Sequence, residues 1–164
     1  MFGRKSKQSG VVRIDALARA AQATIGVALM QHYNPRRSAP AGAESIAAKK
    51  AAAAASFLSG HTPHPMDAGI DLPQVQAEAR AWIRTNTEMR ELVVQTLRVT
   101  AVAYPGVKDN AVVNEDSLSI LSEFGSDSAE VPDPLAYEAV VRRAIATLPH
   151  SAQIKLLRLT KSDE

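Results

Sequence analysis

A shortage of large side chains constrains this sequence more than any other feature. Hydrophobic residues make up 46% of the 164 residues, yet aromatic residues make up only 4%, and Trp82 is the single tryptophan. A core built mainly from alanine, valine, leucine and isoleucine favours helices that pack closely. A chain of this length can bury about 70% of its unfolded surface in one domain. We therefore predict an all-α fold, a small bundle of about five to six helices.

Composition divides the sequence into four segments. Residues 1–10 combine three positive charges with glycine and serine, which predicts a flexible basic arm. Residues 11–60 predict a helical hairpin, because apolar residues recur at helical spacing as far as Tyr33 and an alanine-rich second helix ends at Gly60. Residues 61–72 predict a proline-containing connector, and residues 73–164 predict the helical core.

The connector holds two of the four histidines in the sequence GHTPHPMD. Its two prolines favour a polyproline II conformation, which has three residues per turn. That period would place His61, His64 and Asp67 along one edge, but about 9 Å apart, too far for a single ion. We predict a stiffened joint here and no metal site.

Capping residues mark the helices of the core. Asp71 and the proline two residues later start a helix whose apolar spacing continues to Tyr104. One long helix is the simplest interpretation; Thr85 and Glu88 offer an alternative break as a capping box, and the β-branched residues 92–104 also permit a strand.

The sequence of the last third of the chain predicts three shorter helices. Gly125 stops the first, and Asp133 with the following proline opens the second. Ser151 is expected to cap the third. The second has the clearest apolar face, formed by Tyr137, Val140, Val141, Ala144, Ile145 and Leu148.

Charge is distributed unevenly. Residues 1–50 carry a net charge of +7, whereas residues 101–164 carry −4, and residues 109–138 hold eight acids and no base. Basic residues return after this acidic segment, at Arg142, Arg143, Lys155, Arg158 and Lys161. Blocks of opposite sign favour docking within one chain or between neighbouring copies.

The sequence has no cysteine, which excludes disulfides and thiolate chemistry and makes the cytoplasm the expected location. Arg13, Asp15 and Arg19 interrupt the segment that follows the basic start, so we expect no secretion signal. No stretch approaches the roughly 20 apolar residues of a membrane-spanning helix.

No motif indicates catalysis or a cofactor. The sequence contains no nucleophile elbow, glycine-rich phosphate loop, zinc-protease signature or calcium loop. His32 and His150 are expected at helix ends, where the helix dipole favours a cation. The acids of residues 109–138 are better explained by capping and solubility than by paired carboxylate catalysis. We predict a protein that is not an enzyme and needs no cofactor.

The basic residues permit two binding functions as alternatives. Together with Lys49 and Lys50, the basic arm and the turn at residues 35–38 could neutralise several phosphates of a nucleic acid, although no aromatic residue is interleaved to stack on bases. The arm and the apolar helix after it could also lie on an acidic lipid surface.

The preferred hypothesis is a helical interaction or assembly protein, either a homo-oligomer or a subunit of a larger complex. A basic arm of one subunit would contact the acidic segment of the next, head to tail. The candidate contact residues are Arg4, Lys5, Lys7, Arg36 and Arg37 on the basic side, and Glu115, Asp116, Glu123 and Glu130 on the acidic side. Small, cysteine-free helical chains with a basic arm occur as phage virion connectors and as secretion-machinery adaptors. This chain is similar to them in general appearance, and no motif carries the likeness.

Overall fold

The computed structural model describes residues 2–33, 41–60, 69–103, 115–125 and 133–161. These residues form seven α-helices and no strand, which confirms the all-α prediction. The helices are α1 (Phe2–Tyr33), α2 (Ala41–Leu58), α3 (Leu72–Thr85), α4 (Thr87–Ala103), α5 (Glu115–Phe124), α6 (Pro134–Ala146) and α7 (His150–Leu159). The count exceeds five to six because the segment expected as one long helix is divided into α3 and α4. The strand alternative for residues 92–104 is wrong, since α4 is helical through Ala103.

The longest helix, α1, is the centre of the bundle and contacts α2, α4, α6 and α7. Ala16 and Ala20 extend the buried face formed by Leu17, Ile25 and Leu29, so more than half of the helix circumference is covered. Within the described parts of the chain, no helix is long and apolar enough to cross a membrane.

The basic segment at the start differs from the prediction. The composition predicts residues 1–10 as separate from the first helix, but the structure begins α1 at Phe2 and includes residues 2–10 in its first turns. Arginine, lysine and glutamine are good helix formers, and extending an existing helix needs no new nucleus. The first helix therefore includes the backbone of the residues that were predicted as a separate arm.

Alanine allows α2 to approach its neighbours closely. Small side chains face α1 and α3, and two large ones fill the last turn; the buried residues are Ala47, Ala51, Ala53, Ala54, Phe57 and Leu58. Each alanine buries little area, so the packing of α2 depends strongly on its C-terminal turn.

The end of α2 is fixed against α4. As predicted, Gly60 terminates the helix, with a left-handed φ of 88°. The Thr100 hydroxyl on α4 donates to the carbonyl oxygen of Ser59 at 3.0 Å. This bond ties the closing turn of the hairpin to the core.

Two polar caps set the limits of α3 and α4. The carboxylate of Asp71 accepts from the backbone N–H of Gln74 at 3.2 Å, which confirms the predicted start of α3. The helix is interrupted at Asn86, whose side-chain oxygen accepts a hydrogen bond from the backbone N–H of Met89 at 3.3 Å. The alternative break is therefore realised, but Asn86 is the cap and Thr85 is the last residue of α3.

The three C-terminal helices complete the bundle. Gly125 follows the last residue of α5, and Asp133 caps α6 by accepting from two backbone N–H groups at 3.1 and 3.3 Å, both as predicted. The predicted start of α7 at a Ser151 cap is wrong, because the helix begins at His150 with a proline before it and no side-chain cap. The predicted apolar face of α6 is buried: Tyr137, Val140, Val141, Ala144, Ile145 and the following Leu148.

Candidate interaction surface

Most of the contact residues expected from the sequence have no described side chain. Arg4, Lys5 and Lys7 belong to the first turns of α1, and Glu115 and Asp116 open α5, but only their backbone is described. Arg36, Arg37 and Glu130 lie outside the described residues. The connector with His61, His64 and Asp67 lies outside them too, so the structure leaves these predictions as predictions.

Glu123 is the candidate whose surroundings the structure describes, and two arginines of its own chain bind it. Arg80 donates from Nη1 to one carboxylate oxygen at 3.0 Å, and Arg84 donates from Nε to the other at 3.1 Å. Arg80 also donates to the hydroxyl of Ser119 at 2.6 Å. These bonds join α3 to α5, so a basic partner that reached Glu123 would have to share or displace them.

The two arginines change the electrostatics of the carboxylate. The hydrogen bond from Arg84 is the main cause that holds the pKa of Glu123 below its usual value, and the bond from Arg80 acts in the same direction. The carboxylate is therefore charged throughout the neutral range, as the acidic side of a charge-assisted contact requires. Its charge is already compensated, so Glu123 adds little to any long-range attraction.

Aromatic rings hold the same arginines in place. The guanidinium of Arg80 lies 5.5 Å from the ring centroid of Phe57, and that of Arg84 lies 5.9 Å from the ring of Phe124. Sequence reasoning missed this cluster because Glu123 lies 39 and 43 residues after its two arginines. The sequence does contain one indication of this cluster: two arginines lie four residues apart on one face of α3, a spacing at which both can bind a single carboxylate.

A groove of about 260 Å³ lies between α4 and the end of α5. Its charged residues are bound by groups of the same chain: Arg90 donates to the backbone oxygen of Arg84 at 3.1 Å, and Glu91 accepts from Arg143 at 3.3 Å. Salt bridges at the surface contribute little each, and here they mainly orient side chains between α3, α4 and α6. We interpret this groove as part of the structural charge network.

The outward face of α7 is a different kind of surface. Lys155 and Arg158 occupy its centre, while Ile154 and Leu159 stand at its margins with 46% and 45% of their surface exposed. At ideal helical spacing these four residues span about 140° of the helix. Only Leu156 of this helix is fully buried. We call these four residues the α7 face; its two bases belong to the basic cluster that the sequence shows after the acidic segment.

The two histidines that the structure describes, His32 and His150, both lie at helix ends. His32 lies in the last turn of α1, as predicted, but His150 is the first residue of α7, where the dipole disfavours a cation. In the described parts of the chain, no group of three or more histidine, aspartate or glutamate residues is placed to hold a metal ion.

Comparison with known proteins adds no assignment, since no family model, no curated protein and no solved structure matches this chain.

Proposed function

We propose that this protein is a non-enzymatic helical interaction protein, a structural or adaptor subunit of a larger assembly. The observation that supports this best is the α7 face, where two large apolar residues flank two bases on the surface of a bundle. Single exposed apolar residues are ordinary, but an apolar pair combined with bases on one exposed helix face has the chemistry of a contact surface.

A second copy of the chain is the partner that this surface fits. The segment of residues 109–116 has two valines next to three acids and two amides, including Glu115 and Asp116. Apolar contact and opposite charge would then act at the same place, and charge complementarity favours the correct pairing. A contact between two different surfaces is head to tail, so it closes a ring or extends into a filament.

The basic residues of the N-terminal segment remain part of this proposal. Arg4, Lys5 and Lys7 can contribute to the same charge-assisted contact, with Arg36 and Arg37 after α1. Reversing the charge of the first three to glutamate should weaken self-association; if assembly is unchanged, the segment plays no part in it. We also propose a cytoplasmic location, since the composition includes no cysteine that would need an oxidising compartment.

Light scattering on a sizing column, at low and at high salt, tests the proposal. We expect a defined multimer that loosens at high salt, because salt screens exposed charges beyond about one Debye length. The variant K155E/R158E should shift the mass towards monomer. The control R19E/K49E changes the net charge equally, at exposed bases on α1 and α2, and should not shift the mass.

Two other results would contradict the proposal. A monomer at both salt concentrations would exclude self-assembly under these conditions. A monomer that copurifies with nucleic acid and releases it at high salt would instead favour the alternative function, nucleic-acid binding by the basic N-terminal segment.

A further inference from the structure

A cavity of about 290 Å³ lies where α1, α3 and α6 end and α4 begins. The buried side chains of Met89 and Leu148 contribute to its apolar floor. His32 and Trp82 form two adjoining aromatic walls, with ring centroids 6.3 Å apart and planes inclined at 45°. Asn86 adds an amide to its lining. The cavity is thus open, partly aromatic and large enough for a small head group.

The helix ends around this cavity favour a cation. Gln31 and His32 belong to the last turn of α1, Asn86 follows the last residue of α3, and Thr147 follows the last residue of α6. The C-terminal end of a helix carries a partial negative charge. Arg90 binds one carbonyl at the end of α3, and the start of α4 opposes part of the effect, but no lysine or arginine lines the cavity.

A carboxylate and a phenol next to the aromatic wall have oxygens without partners. Glu78 lies one turn before Trp82 on α3, and Tyr33 follows His32, with the rings of these last two 5.1 Å apart. Among the described residues, Oε1 of Glu78 and the hydroxyl of Tyr33 are buried without a hydrogen-bond partner. Burial, with the nearby charge of Glu78, raises the pKa of Tyr33 to about 12. Tyr33 therefore stays protonated and neutral at neutral pH, and it adds no charge of its own beside the cavity.

We propose that the cavity bounded by His32 and Trp82 binds an organic cation, with an ammonium or guanidinium head group. The face of tryptophan is the strongest aromatic partner for a cation, and the carboxylate of Glu78 adds long-range attraction. The head group can belong to a free small molecule or to a lysine or arginine side chain of another protein. This site is separate from the α7 face and does not depend on the proposed assembly function.

Titration of the full chain with choline tests this proposal directly. Trp82 is the only tryptophan, so its fluorescence reports on this cavity alone. We expect a saturable change with choline, and binding at least about fivefold weaker for its neutral isostere, in which a tert-butyl group replaces the trimethylammonium group. A parallel titration with a short lysine-containing peptide distinguishes a protein side chain from a free small molecule. Saturation with either cationic probe supports the proposal.

The proposal of a cation site would be overturned if neither choline nor the lysine-containing peptide gave saturation. Equal affinity for choline and its neutral isostere would overturn it as well. The variant Glu78→Gln keeps the shape and removes the charge, so it should weaken choline binding several-fold. Asp15→Asn is the matched control, because it removes a carboxylate from α1 about 25 Å along the helix from His32 and should leave binding unchanged. Equal affinity of the two variants would show that Glu78 plays no part in binding.

Discussion

The hydroxyl of Tyr137 lies 2.9 Å from Oγ1 of Thr96 and joins α6 to α4 inside the bundle. Thr96 donates its only hydroxyl hydrogen to the carbonyl oxygen of Leu92 at 2.7 Å, so Tyr137 must be the donor in the contact between the two side chains. Burial raises the pKa of Tyr137 well above its usual value. The phenol is therefore neutral and able to donate.

This direction of donation predicts unequal effects of two substitutions. Tyr137→Phe removes one hydrogen bond but leaves the Thr96 hydroxyl bonded to the backbone, so it should cost about 1 kcal/mol. Thr96→Val leaves a buried phenol hydroxyl without a partner and should cost more, about 2 to 3 kcal/mol. Chemical denaturation gives both free energies of unfolding. The double variant should be more stable than the sum of the two losses implies. Equal single losses that add without coupling would show that the contact is not a hydrogen bond.

The bridge between Glu123 and the arginines of α3 predicts a loss of stability in acid. The pKa of Glu123 is lowered in the folded state, so its ionised form stabilises the fold at neutral pH, and this contribution disappears as the pH falls through that pKa. Glu123→Gln should therefore lower Tm at neutral pH, and its difference from the wild type should shrink towards about pH 2. Thermal melts across this range measure the effect. A difference independent of pH would mean that charge is not its cause.

Two glycines should respond to alanine in opposite ways. Gly26 lies inside α1, and a β-carbon there would meet nothing within 4 Å, so Gly26→Ala should stabilise the protein by about 0.5 to 1 kcal/mol. Gly60 has a φ of 88°, and a β-carbon there would lie 3.1 Å from the side chains of Leu97 and Thr100. Gly60→Ala should therefore destabilise by more than 1 kcal/mol. Denaturant midpoints compare the pair; a destabilised Gly26 variant would contradict the helical packing described for α1.

The starts of α6 and α7 predict another contrast. Asp133 accepts from two backbone N–H groups, so Asp133→Ala should cost about 1 kcal/mol. Ser151 lies inside the first turn of α7, after its start at His150, and Ser151→Ala should change stability by only a few tenths of a kcal/mol. A large loss at Ser151 in thermal unfolding would mean that Ser151 is the cap and that the helix begins two residues later, at Ala152.

Features decided by local chemistry could be predicted from the sequence. The caps at Asp71 and Asp133, the stops at Gly60 and Gly125 and the apolar face of α6 depend on neighbouring residues alone. The break at Asn86 was harder to place, because the apolar spacing of α3 continues into α4 and suits one helix equally well. The extension of α1 to Phe2 was missed because glycine and serine resemble a linker, whereas an established helix can propagate through them.

The candidate sites could be predicted only in part. The acidic character of Glu123 is visible in the sequence, but its partners Arg80 and Arg84 depend on how α3 packs beside α5. The same holds for the cavity at His32 and Trp82. These two residues are 50 positions apart in the sequence, and their rings are close only because α1 and α3 end beside each other. The periodicity of apolar residues predicts which face of each helix is buried, but it does not predict which other helix packs against that face.

The most direct test of the assembly proposal is a charge exchange read by light scattering. If the α7 face of one copy binds the acidic segment of the next, K155E/R158E should disrupt the multimer, and E115K/D116K should disrupt it equally. A chain carrying all four substitutions should assemble again, because each surface then has the sign that its partner needs. If the four-residue variant stays monomeric while each parent variant folds, or if neither parent variant changes the mass, this pairing is wrong.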